Sequence, residues 1–300
     1  MANENFHSGF AAIVGRPNVG KSSLLNRWVG QKLSITSQRP QTTRHRILGI
    51  RHRDTAQIVF VDTPGIHGAN DSAMNQHMNR VAKGSVNDVD VIVLVISARG
   101  WTAEDEAVLK LVQTAAAPCI LVINKIDMLA NKEALLPLIA DSHARHAFAE
   151  IVPMSAKVGE NTDAIFATVI PRLPLQPAIF PPDQLTDRNE RFLAAELIRE
   201  QVFRVIGQEI PYACTVEIEG FKEEARLTRI DATIWVEKEG QKAILIGAGG
   251  LQLKRIGERA RRELQDLLAR KVFLGLWVKV RAGWSDDARA LRSLGYGEDN

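Results

Sequence analysis

A glycine-containing octapeptide near the N-terminus has the composition of a phosphate-binding loop. It runs from Gly15 to Ser22 and fits the pattern G-x-x-x-x-G-K-S. Its glycines allow backbone N–H groups to close around phosphate oxygens, and a following helix adds the positive end of its dipole. Lys21 supplies charge to the β- and γ-phosphates, and Ser22 offers its hydroxyl to Mg²⁺. The predicted nucleotide contacts in and directly after this segment are Gly15, Asn18, Val19, Gly20, Lys21, Ser22 and Ser23.

Two later motifs, N-K-x-D at Asn124–Asp127 and S-A-K at Ser155–Lys157, indicate which base is bound. Asp127 closes the pattern N-K-x-D, and its carboxylate can accept both adjacent donors of guanine, N1–H and N2–H₂. Adenine has an acceptor at N1, and a buried polar group left unpaired can lower affinity by about 10⁴-fold. Asn124 is expected to contact the other edge of the base, and the stem of Lys125 its face. The predicted guanine pocket consists of Asn124, Lys125, Asp127, Ser155, Ala156 and Lys157.

A fourth motif, D-x-x-G, lies between the phosphate loop and the base motif. Asp62 ends an apolar run and is expected to reach Mg²⁺ through a water molecule, and the N–H of Gly65 to sense the γ-phosphate. The second protein hydroxyl on Mg²⁺ comes from either Thr42 or Thr43, which lie together in a polar loop. The four motifs in this order predict a GTP site.

The elements that position these motifs alternate between apolar runs and helical patterns. Five runs rich in valine and isoleucine are predicted to be buried strands: Phe10–Val14, Ile58–Val61, Val91–Ile96, Ile120–Ile123 and Ile151–Pro153. This alternation predicts an α/β domain with a mostly parallel sheet. Ligands in such folds bind at the carboxyl ends of the strands, which is where the four motifs fall.

A proline-rich stretch divides the chain. Prolines at 171, 174, 177, 181 and 182 exclude a helix interior or a central strand, so the stretch is predicted to be a stiff linker. The predicted divisions are a GTP-binding domain at 1–175, a linker at 176–187, and a second domain with a C-terminal tail helix at 188–300. The pattern of the second domain is α+β: a helix, two β-like runs, a glycine turn, a long helix and a strand.

The glycine turn of the second half has a possible role in binding nucleic acid. Its G-x-x-G pattern brings backbone close to a ligand and directs a helix N-terminus at phosphates, as in KH domains that hold about four nucleotides of single-stranded RNA. Residues 254–271 contain seven basic and three acidic residues. The competing interpretation is a solvated helix face. The predicted RNA contacts are Gly247, Ala248, Gly249, Gly250, Lys254 and Arg255.

Composition excludes several other classes of protein. With 300 residues, 45% of them hydrophobic, the chain suits two globular domains, and a net charge of +3 indicates no particular partner. No apolar run approaches the roughly 20 residues of a membrane span, and the polar N-terminus does not resemble a signal peptide. Cys119 and Cys214 lie far apart in apolar runs and are predicted to be inert core residues. A reducing cytosol is the expected compartment.

The motifs resemble those of the translation-factor-related GTPases, and the segment Arg39-Pro-Gln-Thr-Thr-Arg-His45 resembles the first switch of the Era family. The similarity continues at 187–196 and 283–296. It implies that Thr43 is the Mg²⁺ ligand beside Ser22 and Asp62, that GTP, GDP and Mg²⁺ are the cofactors, and that the second domain is a type II KH domain.

The same resemblance implies partners and a cellular role. These are the 3′ end of 16S ribosomal RNA, assistance to assembly of the 30S subunit, and a monomer in the cytoplasm with peripheral association at the inner membrane. Members of the family often carry a basic residue inside G-x-x-G, whereas this chain has Ala248 and Gly249. An alternative function is a GTPase whose second domain recruits a protein or lies on a membrane, using Trp277 and Trp284.

Hydrolysis is expected to be slow. Many GTPases have a glutamine after D-x-x-G to orient the attacking water, and this chain has Ile66 there. The resemblance implies that Asn18 helps to bind K⁺; the alternative is that it only shapes the turn. Arginines of the first switch could act as a finger in cis or face solvent or RNA: Arg39, Arg44 and Arg46. The predicted catalytic set is Asn18, Lys21, Thr43 and Gly65.

Overall fold

The computed structural model describes residues 5–36, 43–65, 73–206, 210–294 and 296. The chain forms two compact units, residues 1–70 with 78–187 and residues 71–77 with 188–300. The first contains a six-stranded, mostly parallel sheet, and the second a three-stranded sheet with helices. The prediction of an α/β domain followed by a smaller α+β domain is therefore confirmed.

Strands and helices alternate along the first part of the chain. The elements are β1 (His7–Val14), α1 (Lys21–Val29), β2 (Ile47–Arg53), β3 (Ala56–Asp62), α2 (Ala73–Asn87), β4 (Val91–Ser97), α3 (Ala103–Val112), β5 (Cys119–Asn124), α4 (Leu135–Arg145), β6 (Glu150–Pro153) and α5 (Ala164–Val169). The sheet has the order β2-β3-β1-β4-β5-β6. All five predicted strands are present.

Strand β2 was not anticipated. It pairs with β3 in antiparallel register, from Ile47 opposite Asp62 to Arg53 opposite Ala56. Its first four residues are buried and its last three, Arg51 to Arg53, are partly exposed. The sequence therefore shows neither the alternation of a half-buried strand nor the continuous apolar run of a fully buried one.

Apolar side chains cover both faces of the sheet. Every residue of β4 is buried, and side chains of this strand share a hydrophobic core with side chains of α3 and α4. Elsewhere in the unit, Trp28 of α1 stacks on Phe60 of β3 with ring centroids 4.9 Å apart, and Phe166 of α5 meets the same ring edge-on. Burial on both faces is typical of parallel strands. Because these strands are parallel, their carboxyl ends meet at one edge of the sheet.

The segment predicted to be a linker belongs to the first unit. The side-chain amide of Gln57 binds the backbone of Ile179 and Phe180, at 2.7–2.9 Å. Farther along, Ile50 N–H donates to Leu185 O at 2.8 Å. The prolines keep this segment extended, and its last residues supply partners for the edge strand β2. The unit boundary falls after residue 187.

The second unit follows a different topology. Its elements are α6 (Glu190–Val205), β7 (Cys214–Glu223), β8 (Thr228–Val236), α7 (Glu239–Ile246), α8 (Leu251–Leu268), β9 (Val272–Val280) and α9 (Ala288–Ser293). Strand β8 is central, antiparallel to β7 and parallel to β9. The parallel pair requires a crossover, which α7 and α8 provide. Buried residues at a spacing of four on α8, Ile256, Ala260 and Leu264, pack into one core with α6 and the sheet.

Both cysteines are buried in the cores of their units. Burial raises the pKa of Cys119 to about 12, so this thiol stays protonated and unreactive. Among the helices of the described residues, none combines the length and apolar character that crossing a membrane requires.

Candidate functional sites

Space and backbone conformation both require glycine in the phosphate loop. Gly20 has φ +105° and caps α1, and a Cβ there would lie 2.3 Å from Nδ2 of Asn124. A Cβ on Gly15 would lie 2.5 Å from the carbonyl oxygen of Val95. No side chain caps the N-terminus of α1, so the N–H groups of its first turn remain suited to an anion.

Lys21 lies across this loop. It is buried, and its Nζ donates to the carbonyl oxygens of Gly15 and Arg16 at 2.9 and 3.0 Å. Burial lowers the pKa of Lys21 to about 8, and the nearby carboxylate of Asp62 opposes that shift. A bound phosphate would stabilise the charged form of this buried ammonium group, which burial disfavours.

The three predicted metal ligands come together. Asp62 Oδ2 accepts from Ser34 at 2.7 Å and Ser22 at 3.0 Å, and Thr43 lies 3.4 Å away. The hydroxyls of Ser22 and Thr43 are 2.8 Å apart. Burial raises the pKa of Asp62. Its other oxygen, Oδ1, is buried with no hydrogen-bond partner among the described residues.

This donor set fits Mg²⁺. One carboxylate and two hydroxyls provide hard oxygen ligands, and Mg²⁺ in nucleotide sites takes its remaining ligands from phosphates and water. The unpartnered Oδ1 of Asp62 supplies an acceptor for a coordinated water. Of the two threonines considered, Thr43 lies in the site, and Thr42 falls outside the described residues.

Asn124 joins the loops of the site rather than projecting into it. Its Oδ1 accepts from the N–H groups of Lys125 and Ala156 at 2.8 and 2.9 Å, and its Nδ2 donates to Val19 O at 2.8 Å. These three bonds tie the base loops to the phosphate loop, and the contact of Asn124 with the edge of the base stays a prediction. Asn124 is 1% exposed.

The carboxylate predicted to recognise the base is held from one side. Asp127 Oδ1 accepts from Ser155 Oγ at 2.6 Å, and Ser155 Oγ accepts from Val158 N at 3.3 Å. Lys125 has φ +67°, and its Nζ donates to Asn18 O. Burial lowers the pKa of Lys125. The aliphatic stem of Lys125 thus spans from the base motif to the phosphate loop, where the planar guanine ring would pack against it.

These residues surround a cleft of about 740 Å³, within the size range of small-molecule sites. Predicted residues that line it are Asn18, Gly20, Lys21, Ser22, Ser23, Thr43, Gly65, Lys125, Asp127 and Lys157. The remaining predicted ones are buried and do not line the cleft: Gly15, Val19, Asp62, Asn124, Ser155 and Ala156. Residues not predicted also line it: Arg16, Pro17, Ile35, Thr36, Ser97, Arg99 and Met128. Arg39 and Ile66 fall outside the described residues.

Some supporting residues gave no signal in the sequence. Arg27 Nε donates to Ala156 O at 2.8 Å, which ties α1 to the second base loop 129 residues away. Arg16 Nε donates to Asp105 Oδ2 at 3.0 Å, and Asp105 also forms the capping box of α3 with Thr102. The capping box is visible in the sequence as T-x-x-D, but its ion pair with the phosphate loop is not.

The second glycine loop is open. Gly247, Gly249 and Gly250 have φ values of +70°, +58° and +77°, and nothing lies within 4 Å of a Cβ on Gly249 or Gly250. Helix α8 begins at Leu251 without a side-chain cap. The predicted contacts Ala248, Lys254 and Arg255 are all exposed. The loop thus exposes its backbone together with the N-terminus of α8 and the basic side chains of Lys254 and Arg255.

Comparison with known proteins identifies both halves. Residues 10–125 match the family described as 50S ribosome-binding GTPase, and residues 209–285 match the KH domain. GTPase Era of Pseudomonas entomophila is 51% identical over 296 residues, 99% of each chain. This chain belongs to the Era family of GTPases. GTPase Era of Pseudomonas aeruginosa is 52% identical over 290 residues, covering 97% of this chain and 95% of that protein.

Two solved Era structures resemble the whole chain. One is a variant of Aquifex aeolicus Era bound to GDP·AlF₄⁻, and the other is Era in complex with MgGDPNP and nucleotides 1506–1542 of 16S ribosomal RNA. Each is 40% identical with a TM-score of 0.94 and covers 97% of this chain; the matches cover 100% and 99% of those chains. The predicted Era family, GTPase activity and KH domain are therefore confirmed.

One tryptophan considered for the alternative function is not available. Trp284 is 0% exposed and stacks on Tyr296 with ring centroids 6.2 Å apart, so it belongs to the core of the second unit of this Era protein. Trp277, on β9, is 49% exposed. The sequence does not distinguish them because both follow glycine-containing stretches near basic residues.

Proposed function

We propose that this GTPase is a Mg²⁺-dependent switch that binds single-stranded RNA near the 3′ end of 16S ribosomal RNA and assists assembly of the small ribosomal subunit. GTP would be held by the phosphate loop, its guanine by Asp127, and its Mg²⁺ by Ser22, Thr43 and Asp62. Bound Mg²⁺ neutralises phosphate charge. The open loop at 247–250 would hold the RNA.

The observation that supports the metal site is the buried Oδ1 of Asp62, which has no protein partner in the described chain although three hydroxyls contact the other oxygen of the same carboxylate. An unpaired buried carboxylate oxygen is costly, and a ligand that pairs it removes the cost. A metal-bound water would donate a hydrogen bond to this oxygen.

The observation that supports the RNA site is the open geometry of Gly249 and Gly250, which leaves room for a nucleic-acid backbone beside the N-terminus of α8. Lys254 and Arg255 follow on the first turn of that helix. The Era complex with nucleotides 1506–1542 of 16S ribosomal RNA, 40% identical to this chain, supports the choice of RNA.

Phosphate release tests the switch. Wild-type protein is expected to hydrolyse GTP slowly in Mg²⁺ and to stop in EDTA, and Lys21→Ala should lose nucleotide binding. For K⁺ coordination by Asn18, exchanging KCl for NaCl should slow the wild type, whereas Asn18→Ala should hydrolyse GTP equally in both salts. Equal wild-type rates in the two salts would leave Asn18 with a role in shaping the turn only.

Crosslinking and sequencing of RNA bound in cells tests the partner. The wild type should enrich one single-stranded segment near the 3′ end of 16S ribosomal RNA, and Gly249→Asp with Gly250→Asp should lose it. Gly240→Asp is the matched control, since Gly240 is exposed in α7 with nothing within 4 Å of its Cβ. If the loop variant and the control bind RNA alike, the second unit serves a protein or a membrane surface instead.

A further inference from the structure

Ser34 contacts the metal-facing carboxylate although no nucleotide motif includes it. Its hydroxyl donates to Asp62 Oδ2 at 2.7 Å, the shortest of the three hydroxyl contacts to that oxygen. Both residues are at most 1% exposed. Ser34 lies between α1 and β2, outside both the phosphate loop and the D-x-x-G motif.

Asn26 fixes the backbone that carries this hydroxyl. Its Oδ1 accepts from the N–H groups of Leu33 and Ser34 at 2.8 and 2.9 Å, and its Nδ2 donates to Ser34 O at 2.8 Å. Asn26 belongs to α1, the helix that starts with Lys21 and Ser22. A chain of hydrogen bonds therefore runs from α1 through Asn26 and Ser34 to Asp62.

This chain constrains how Asp62 can turn. Carboxylate rotation is broad unless hydrogen bonds select one orientation. Ser34 engages Oδ2, and Oδ1 is the oxygen left without a protein partner within the described part of the chain. Ser22 and Thr43 also contact Oδ2, but their oxygens are the ones needed by the metal. Among the described residues, the Ser34 hydroxyl contacts the Asp62 carboxylate and is not one of the predicted metal ligands.

We propose that Ser34, held by Asn26, is a positioning residue for Mg²⁺: it orients Asp62 so that one carboxylate oxygen is fixed and the other is free for the metal's water. The inference rests on the Mg²⁺ site of the proposed function. Partners that orient metal ligands are worth about 10- to 100-fold in metal affinity. The effect should appear in Mg²⁺ dependence and leave metal-free nucleotide binding unchanged.

The test is the dissociation rate of a fluorescent GDP analogue as a function of free Mg²⁺. Ser34→Ala should need about tenfold more Mg²⁺ for half-maximal slowing of release, and its rate in EDTA should equal that of the wild type. Ser34→Thr keeps the hydroxyl and should restore the wild-type midpoint. Mn²⁺ binding to the GDP complex, followed by electron paramagnetic resonance, should weaken by the same factor in Ser34→Ala.

A matched control separates positioning from general loss of packing. Ser142, 0% exposed in α4, donates to Leu138 O at 2.7 Å away from the site, so Ser142→Ala removes a comparable buried hydroxyl. It should leave the Mg²⁺ midpoint unchanged. A wild-type midpoint in Ser34→Ala, or equal acceleration with and without Mg²⁺, would overturn the inference. A wild type that shows no Mg²⁺ dependence would overturn the proposed metal site itself.

Discussion

Two glycine loops in this molecule lead into helices, and they use glycine for different reasons. In the phosphate loop, a Cβ on Gly20 would lie 2.3 Å from Asn124, and Gly15 is equally confined. In the second unit, Gly249 and Gly250 have positive φ but nothing within 4 Å of a Cβ. Both helices, α1 and α8, start at a left-handed glycine without a side-chain cap.

The difference indicates two modes of binding. The phosphate loop is enclosed by its own protein, so its N–H groups are already fixed in place for a small ligand of defined shape. At Gly249 and Gly250 the second loop is constrained only in φ, and the space around these two residues is left for the backbone of a larger ligand. Equivalent substitutions should therefore damage the first loop far more than the second.

The largest effect is expected where the preformed pocket meets the base. Asp127→Asn preserves shape and the contact with Ser155, but it replaces an acceptor of guanine's two donors with an amide. GTP affinity should fall about 10³-fold and affinity for xanthosine triphosphate should rise, because xanthine has a carbonyl in place of the amino group. Competition against a fluorescent GDP analogue measures both. Unchanged GTP affinity would contradict the assignment of Asp127.

The next effect concerns packing of the first loop. Gly20→Ala forces a Cβ against Nδ2 of Asn124, breaks its bond to Val19, and adds strain at φ +105°. Unfolding free energy should drop by about 3 kcal/mol and GDP binding should weaken. Chemical denaturation and GDP titration measure these changes.

Gly84→Ala is the control for that substitution. Gly84 lies in α2, is exposed, and has nothing within 4 Å of a Cβ. Alanine there should stabilise the protein by about 0.5–1 kcal/mol, because it reduces the entropy lost on folding. Equal destabilisation by both substitutions would remove the basis for the comparison between loops.

The third prediction uses the buried lysine of the first loop. Because the pKa of Lys21 is lowered from the ordinary 10.5 to about 8, the free protein loses this proton as the pH rises through about 8. Bound phosphate favours the charged form, so GDP binding above pH 8 must take up a proton. Affinity should be constant near pH 7 and about tenfold weaker at pH 9. Calorimetry in buffers of different ionisation enthalpy would show the uptake; its absence at pH 9 would contradict the lowered pKa.

The smallest effect is expected in the open loop. Gly249→Ala should cost about 1 kcal/mol of unfolding free energy, since only φ +58° opposes it. Gly249→Asn should cost less, because asparagine adopts left-handed backbone more easily. Thermal denaturation compares the two. A cost above that of Gly20→Ala would mean that the open loop is packed after all.

Ten of the seventeen described residues that line the cleft were predicted, because each motif is short and lies at the end of a strand. Contacts between residues distant in sequence were not predicted. Arg27 reaches Ala156, and Asn124 bonds to Val19, across more than a hundred residues, so no local pattern records either contact. The sequence of the edge strand β2 lacks a strand periodicity, and the proline-rich segment was predicted to be a stiff linker between domains, although Gln57 holds it to the sheet.

The two glycine loops are expected to bind separate ligands, and one paired binding experiment can show whether they do. GDP and an RNA oligonucleotide from the 3′ end of 16S ribosomal RNA would each be titrated into Lys21→Ala and into Gly249→Asp with Gly250→Asp. We predict that the first variant loses GDP and, measured without nucleotide, binds the RNA as the wild type does, whereas the second loses the RNA and retains GDP. A glycine-loop variant that binds the RNA with wild-type affinity would contradict the account.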